Sequence, residues 1–255
     1  MSRPSWQDFG THDESAYPEL WDGVIGAWAP CLGPTGSRLH DMSRRSNWGT
    51  LTNMDNATDW VIDGGQYALN FDGSNNRIDV GAIQLGTRKT ISCWIKRNGT
   101  ETAVLFSVGQ NIVPAGYIIG LIGSDIYNNN SGVFYSSAFG GLAVGRWEFL
   151  AIATDGANYT VYVNGVQKGT MQDAGANLLR NIGSYETGTF PFSGRLDDIA
   201  IWNRRLTASE IRQLYQLGRG GMYQRRRRRA IYLPQAGFQA AWTRGSNVML
   251  GFNQP

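Results

Sequence analysis

The stretch SGRLDDIAIWNRRLTASEIRQLY, residues 193–215, decides how this chain folds. Leu196, Ile199 and Ile201 stand among β-favouring neighbours and read as a strand. Thr207 and Glu210 follow at capping-box spacing. The hydroxyl accepts from a free N–H of the first helical turn, and the glutamate reaches back to the cap. Ile211, Leu214 and Tyr215 give that helix one apolar face, and Gly218 ends it through a left-handed conformation. A strand, a short link and a capped helix therefore close the body of the chain.

Upstream, the signals are those of many short strands. Residues 20–28 read as a first strand, and the polar stretch 29–65 is too long for a plain loop and predicts short strands of its own. Residues 68–72 and 77–80 flank the turn Gly73–Asn76 and read as a hairpin. Residues 90–96 alternate, placing Ile91, Cys93 and Ile95 on one face that predicts core. Segments 103–108, 116–122 and 132–136 follow, each bounded by Gly, Asn or Pro. Residues 146–154 read as a strand, and Asp155–Gly156 as a turn. Residues 159–163 pair back onto 166–171 through Asn164–Gly165, both of which tolerate positive φ. About ten to twelve strands with one late helix predict an all-β fold. We read it as a two-sheet antiparallel jelly-roll sandwich with one short C-terminal helix and extended N- and C-terminal arms.

Composition agrees. The 255 residues include 33 Gly for turns, and 9 Trp, 11 Tyr and 10 Phe to fill a core. Charged residues are only 17%, which excludes a coiled coil or a disordered acidic chain. No apolar run approaches the roughly 18 residues of a membrane span, so no membrane partner is expected. The opening MSRPSWQDFG lacks an apolar stretch and reads as no secretory signal. Cys31 and Cys93 permit one disulfide at most and read as two buried thiols. Trp94 and Trp147 are expected to fill the roughly 10 Å space between two sheets. Phe71 and Ile78 straddle a turn and are expected to pack on one sheet.

Five segments, in order, resemble the laminin-G-like jelly rolls of the concanavalin-like sandwich family. They are ALNFDGSNNRIDV (68–80), KTISCWIK (89–96), GRWEFLAIATDG (145–156), YVNG (162–165) and the closing 193–215 stretch. The resemblance covers residues 20–217 and implies a sandwich that binds or displays. Laminarinase-type hydrolases of this fold need a Glu-x-Asp-x-x-Glu strand that sets paired carboxylates on one bond. Glu14, Glu19, Glu101, Glu148, Glu186 and Glu210 do not stand in that pattern. His12, in the arm, and His40, in a long loop, read as solvated. There is no nucleophile elbow, phosphate loop or dinucleotide fingerprint. The chain reads as non-enzymatic.

The resemblance also implies a structural calcium held by loop oxygens. The matching positions are Asp41, in DMSRRSNWG (41–49), and Asp197, in GRLDD (194–198). Arg44 and Arg45 depart from the small residues of that pattern and repel a cation. The alternative is that Asp197 caps a turn or pairs with an arginine. For a sugar, the expected sites are two amide-rich loop tips: Asn75 and Asn76, and Tyr127, Asn128 and Asn129.

The net charge of +3 hides an asymmetry. Residues 219–255 hold seven Arg and no acid, so the preceding 218 carry all 20 acids against 16 basic residues. We divide the chain into an N-terminal arm (1–19), the sandwich (20–217) and a basic anchoring tail (218–255). Arg225, Arg226, Arg227, Arg228 and Arg229, with Phe238 and Trp242, are the expected partner-binding residues. No aromatic interleaves the five arginines, which disfavours nucleic acid. The opening GAWAPCLGPTG (26–36) and the tail GFQAAWTR (237–244) resemble virion proteins of tailed bacteriophages. That resemblance implies a structural or decoration protein of a capsid or tail. It would be made in the host cytoplasm, self-associate and be held by other virion proteins. A lectin that adheres to cell-surface glycan is the alternative.

Overall fold

The computed structural model describes residues 15–109, 116–123, 125–130, 133–137 and 141–224. It also describes two short antiparallel strands, Thr243–Arg244 and Asn247–Val248. Residues 1–225 form one compact unit and 226–255 another.

The first unit holds two sheets, and every ladder in them is antiparallel. One runs β14 (Val166–Gln172), β13 (Asn158–Val163), β12 (Trp147–Thr154), β7 (Lys89–Arg97), β16 (Ser193–Trp202), β5 (Gln66–Asp72) and β4 (Trp60–Asp63). β1 (Val24–Trp28) also pairs with β16. The second sheet runs β11 (Val133–Ser137), β10 (Asp125–Asn130), β9 (Gly116–Ile122), β8 (Ala103–Gly109), β15 (Leu178–Ile182), β6 (Arg77–Gln84), β3 (Gly49–Thr52) and β2 (Arg38–Leu39).

Ile91, Cys93 and Ile95 face the inter-sheet core as their alternation requires, joined by Leu105, Leu150, Ile182 and Leu196. The same alternation turns Trp94 outward, correcting the expectation that it lies between the sheets. Its ring stacks on Tyr215 at 5.8 Å and meets Phe149 at 5.6 Å. A second apolar layer forms there, where α1 (Pro18–Trp21) and α2 (Ala208–Leu217) cover the first sheet with Trp21, Trp202, Ile211 and Leu214. Trp147 is likewise not between the sheets: it lies half-buried under the guanidinium of Arg219, 4.2 Å from the ring centroid.

The Gly73 turn is not a hairpin. β5 pairs with β4 and β16, whereas β6 pairs with β3 and β15. The chain crosses there from one sheet to the other, so Phe71 and Ile78 enter the same core from opposite sides rather than from one sheet. Asn164–Gly165 does make a tight hairpin, with φ of 52° and 73°. The capping box of α2 forms as expected: Glu210 N–H donates to Thr207 Oγ1 at 3.3 Å and Thr207 N–H to Glu210 Oε2 at 2.7 Å. Gly218 ends the helix at φ 72°.

The roots of both arms belong to this unit. Ala16 N–H donates to Gln224 O at 2.8 Å, and Ser15 Oγ donates to Met222 O at 3.1 Å. Both cysteines are buried and free.

Candidate functional site

The outer face of the second sheet carries a polar row. On β6, Ile78 and Val80 point into the core, so Arg77 and Asp79 point out. Residues directly opposite in a ladder share a face. Thr50 is opposite Asp79, Asp79 opposite Asn181, and Asn181 opposite Ser107. Position 107 is opposite 117, and 117 opposite Asn129. The register therefore aligns these positions across β3, β6, β15, β8, β9 and β10.

Asn181 is the chemically unusual member. Its side chain is 1% exposed, yet neither its amide nitrogen nor its oxygen has a hydrogen-bond partner. A buried amide left unpaired costs about 1–3 kcal/mol, so this one calls for a partner that the described chain does not supply. Arg77 and Arg180 flank it, each half-buried with a buried, unpartnered Nε. Asp79 is exposed and accepts from Gly81 N–H at 2.9 Å. Ser107 Oγ donates to Ser184 O at 3.1 Å. Beside the row, Val104, Tyr127 and Tyr185 form a small apolar cluster. Phe190, half-exposed at φ 50°, meets Tyr185 edge-on at 6.3 Å. Amides, a carboxylate acceptor and guanidinium donors next to aromatic rings are the kinds of group that meet a sugar.

The expected ligand residues divide. Tyr127, Asn128 and Asn129 lie within β10, not at a loop tip, which corrects that reading. Asn129 joins the row. Tyr127 lies beside it, its hydroxyl donating to Leu121 O at 3.2 Å. Asn128 faces the other way and is consumed: its Nδ2 donates to Gln172 O at 2.9 Å, and its Oδ1 accepts from Ala174 N–H at 2.7 Å. Asn75 is exposed in the turn before β6, and buried Asn76 donates to Asp59 at 3.0 Å. Asn181 itself, with Arg77, Asp79 and Arg180, went unread in the sequence. The available signal was an amide interrupting the apolar run Leu178, Leu179, Ile182.

The expected calcium ligands are used internally. Asp41 Oδ1 accepts from Ala27 N–H (3.0 Å) and Ser43 N–H (2.9 Å), and Oδ2 from Ser43 Oγ (2.7 Å) and Asn47 N–H (2.9 Å). These bonds organise loop 41–47. Asp197 lies fully buried at a bulge in β16, where the strand's partner changes from β5 to β1. Its Oδ1 accepts from Cys31 N–H and Asp198 N–H, both at 2.8 Å, and Arg219 Nε stands 3.2 Å from Oδ2. Asp198, at φ 44°, accepts from the Cys31 thiol at 3.2 Å and from Gly220 N–H. The ligand atoms of Cys31, Asp197 and Asp198 lie within 4.8 Å of one another. Arg219 already supplies the cation there, so Asp41 and Asp197 do not fit as a calcium pair. Burial, against the opposing Gly220 and Cys31 hydrogen bonds and the Arg219 charge, pushes the Asp198 carboxyl up to about 6. Burial and the Asp198 charge drive Asp197 upward too. The cavity beside Asp198, lined by Ser92, Trp94 and Tyr223, holds about 10 Å³, room for one water but not a sugar ring.

Glu148 is spent on Ala143 N–H (2.6 Å) and Arg146 (2.9 Å). His40 is exposed and packs on Trp48 at 4.0 Å. Residues Arg225–Arg229, Phe238, Trp242 and His12 lie outside the described residues.

No curated protein matches this sequence. Among solved structures, domain 4 of AbnA, an extracellular arabinanase from Geobacillus stearothermophilus in complex with arabinotriose, is similar at TM-score 0.60. It is 20% identical over 80% of this chain and all of that one. Trypanosoma rangeli sialidase in complex with sialic acid is similar at 0.55 and 16% identity, over 76% of this chain and a 33% share of the sialidase. The binding domain of botulinum neurotoxin serotype G gives 0.53 and 15%, over 76% of this chain and 51% of that one. At these identities the likeness concerns the fold. The sequence model of the concanavalin A-like lectin/glucanases superfamily matches residues 50–212, most of the sandwich, and the chain belongs to that family.

Proposed function

We propose that this chain is a non-catalytic carbohydrate-binding module whose ligand lies along the Asp79–Asn181–Asn129 row of the second sheet. The observation that carries this reading is Asn181, buried with both amide atoms unpartnered and directly opposite the exposed carboxylate of Asp79. Its structural neighbours support it, since one such domain is in complex with arabinotriose and one such sialidase with sialic acid. A glycan array probed with the whole protein and with Asn181→Ala tests it. Binding that the variant loses, at unchanged melting temperature, is the expected result.

A second reading concerns where the module is held. The segments at 26–36 and 237–244 and the arginine run favour a structural or decoration component of a bacteriophage virion, anchored to other virion proteins through its arms and present in many copies. Truncation after residue 224 is expected to leave a folded body that no longer enters particles. Normal incorporation of the truncated chain, seen by electron microscopy, removes this reading. Independence from calcium is part of the proposal, since Arg219 stands where the cation would.

A further inference from the structure

We infer that the sugar bound on this face carries a carboxylate, received by Arg77 and Arg180. This rests on the carbohydrate-binding reading of the same row and narrows its ligand to acidic glycans.

The β6–β15 pair gathers orphaned polar atoms. Among the described residues, four buried side-chain polar atoms without a hydrogen-bond partner belong to Arg77 on β6 and to Arg180 and Asn181 on β15. Neither guanidinium makes an ion pair or hydrogen bond within the described chain. That contrasts with Arg195, Arg204, Arg205 and Arg219, all of which hold carboxylates. Acids are close at hand but do not engage. Asp79 accepts from Gly81 N–H, and Glu186 approaches the Gly109–Arg180 corner without forming an ion pair. A half-buried guanidinium with an unused donor fork is built for a planar bidentate acceptor, and a sugar carboxylate is that acceptor.

Arg180 is seated closely against β8 there. Gly109, at φ 92°, lies beside Arg180. A Cβ at this position would meet Arg180 Cδ at 2.9 Å and Glu186 Oε2 at 3.6 Å, so glycine is what lets the Arg180 side chain lie this close to the strand. Arg77 is two positions from Asp79 on β6, and Asn181 faces Asp79 across the ladder. The two arginines therefore bracket the amide. The carboxylate would take the guanidinium donors, and the exposed Asp79 would accept from a ring hydroxyl.

The test uses the full-length chain on an array carrying uronate, sialylated, sulfated and neutral glycans, followed by titration with trigalacturonate and its neutral methyl ester. We expect carboxylate glycans to bind and the ester to bind about tenfold or more weakly. Arg77→Gln and Arg180→Gln should erase that preference without lowering the melting temperature. Equal binding of acid and ester, or binding of neutral glycans alone, overturns the carboxylate assignment while leaving the site standing. Acidic and sulfated glycans held equally by wild type and the double glutamine variant overturn it too, because the grip then lies elsewhere on the chain. Binding of no glycan at all overturns this inference together with the reading beneath it.

Discussion

Arg219 and Asp197 form a buried ion pair that fastens the chain leaving α2 to the bulge of β16. The separation is 3.2 Å, with side-chain exposures of 8% and 0%. The same guanidinium donates to Asp63 O at 2.7 Å and Gln66 Oε1 at 3.2 Å, and it lies over Trp147. Removing one member of such a pair strands the other charge, at a cost of about 3–5 kcal/mol. Arg219→Gln is expected to lower unfolding free energy by that order in urea titration. A loss below about 1 kcal/mol would show that Asp197 is neutral or solvated.

Calcium is expected to matter little. Asp41 already takes four donors, and the Arg219 guanidinium beside Asp197 opposes a second cation there. The melting temperature should stay the same with excess chelator and with millimolar calcium. A calcium-dependent rise of several degrees would contradict the internal-cation account.

Asp198 makes stability depend on pH in a stated direction. Its folded carboxyl titrates near 6, above its ordinary 3.8, so the folded chain holds the proton more tightly than the unfolded one. The stability this gives is complete below about pH 4 and is lost as pH rises through 6, a change of about 3 kcal/mol. Burial and the Asp198 charge push Asp197 the same way, against the Arg219 charge and the Cys31 and Asp198 N–H bonds that favour its ionised form. Asp198→Asn, a mimic of the protonated form, should flatten the profile between pH 4 and 7. An unchanged slope in the variant would assign the dependence to other groups.

Asn128 and Asn181 should separate structure from binding. Asn128 ties β10 to the segment after β14 through both ends of its amide. Asn128→Ala leaves Gln172 O and Ala174 N–H short of a partner, and should cost about 1–3 kcal/mol without touching ligand affinity. Asn181→Ala removes an amide that no part of the described chain uses, so its melting temperature should hold or rise while glycan binding falls. The reverse pattern, read by calorimetry on both variants, would exchange their roles.

Much of the fold was legible in the sequence, for identifiable reasons. Thr207–Glu210, Asn164–Gly165 and the Ile91–Cys93–Ile95 alternation are local devices, and each forms as its chemistry dictates. The Gly73 turn misled because a sheet-to-sheet crossing and a hairpin share the same turn residues. Trp94 misled because aromatic bulk says nothing about which sheet face is covered, and here α2 creates a second apolar layer. The site was harder still. Asn129 and Asn181 share one row only through register across four strands, and Arg219 reaches Asp197 beside the bulge where the strand changes partner. Single-sequence spacing carries no trace of either.

The central claim is that ligand meets the outer face of the second sheet. Backbone amide shifts recorded on the isotope-labelled protein during titration with a glycan found by array test it most directly. The account predicts perturbations concentrated at Asp79, Ser107, Asn129 and Asn181, and none at Asp41 or Asp197. Shifts confined to loop 38–48 or to the residues around α2, with the β6–β15 pair silent, would contradict it.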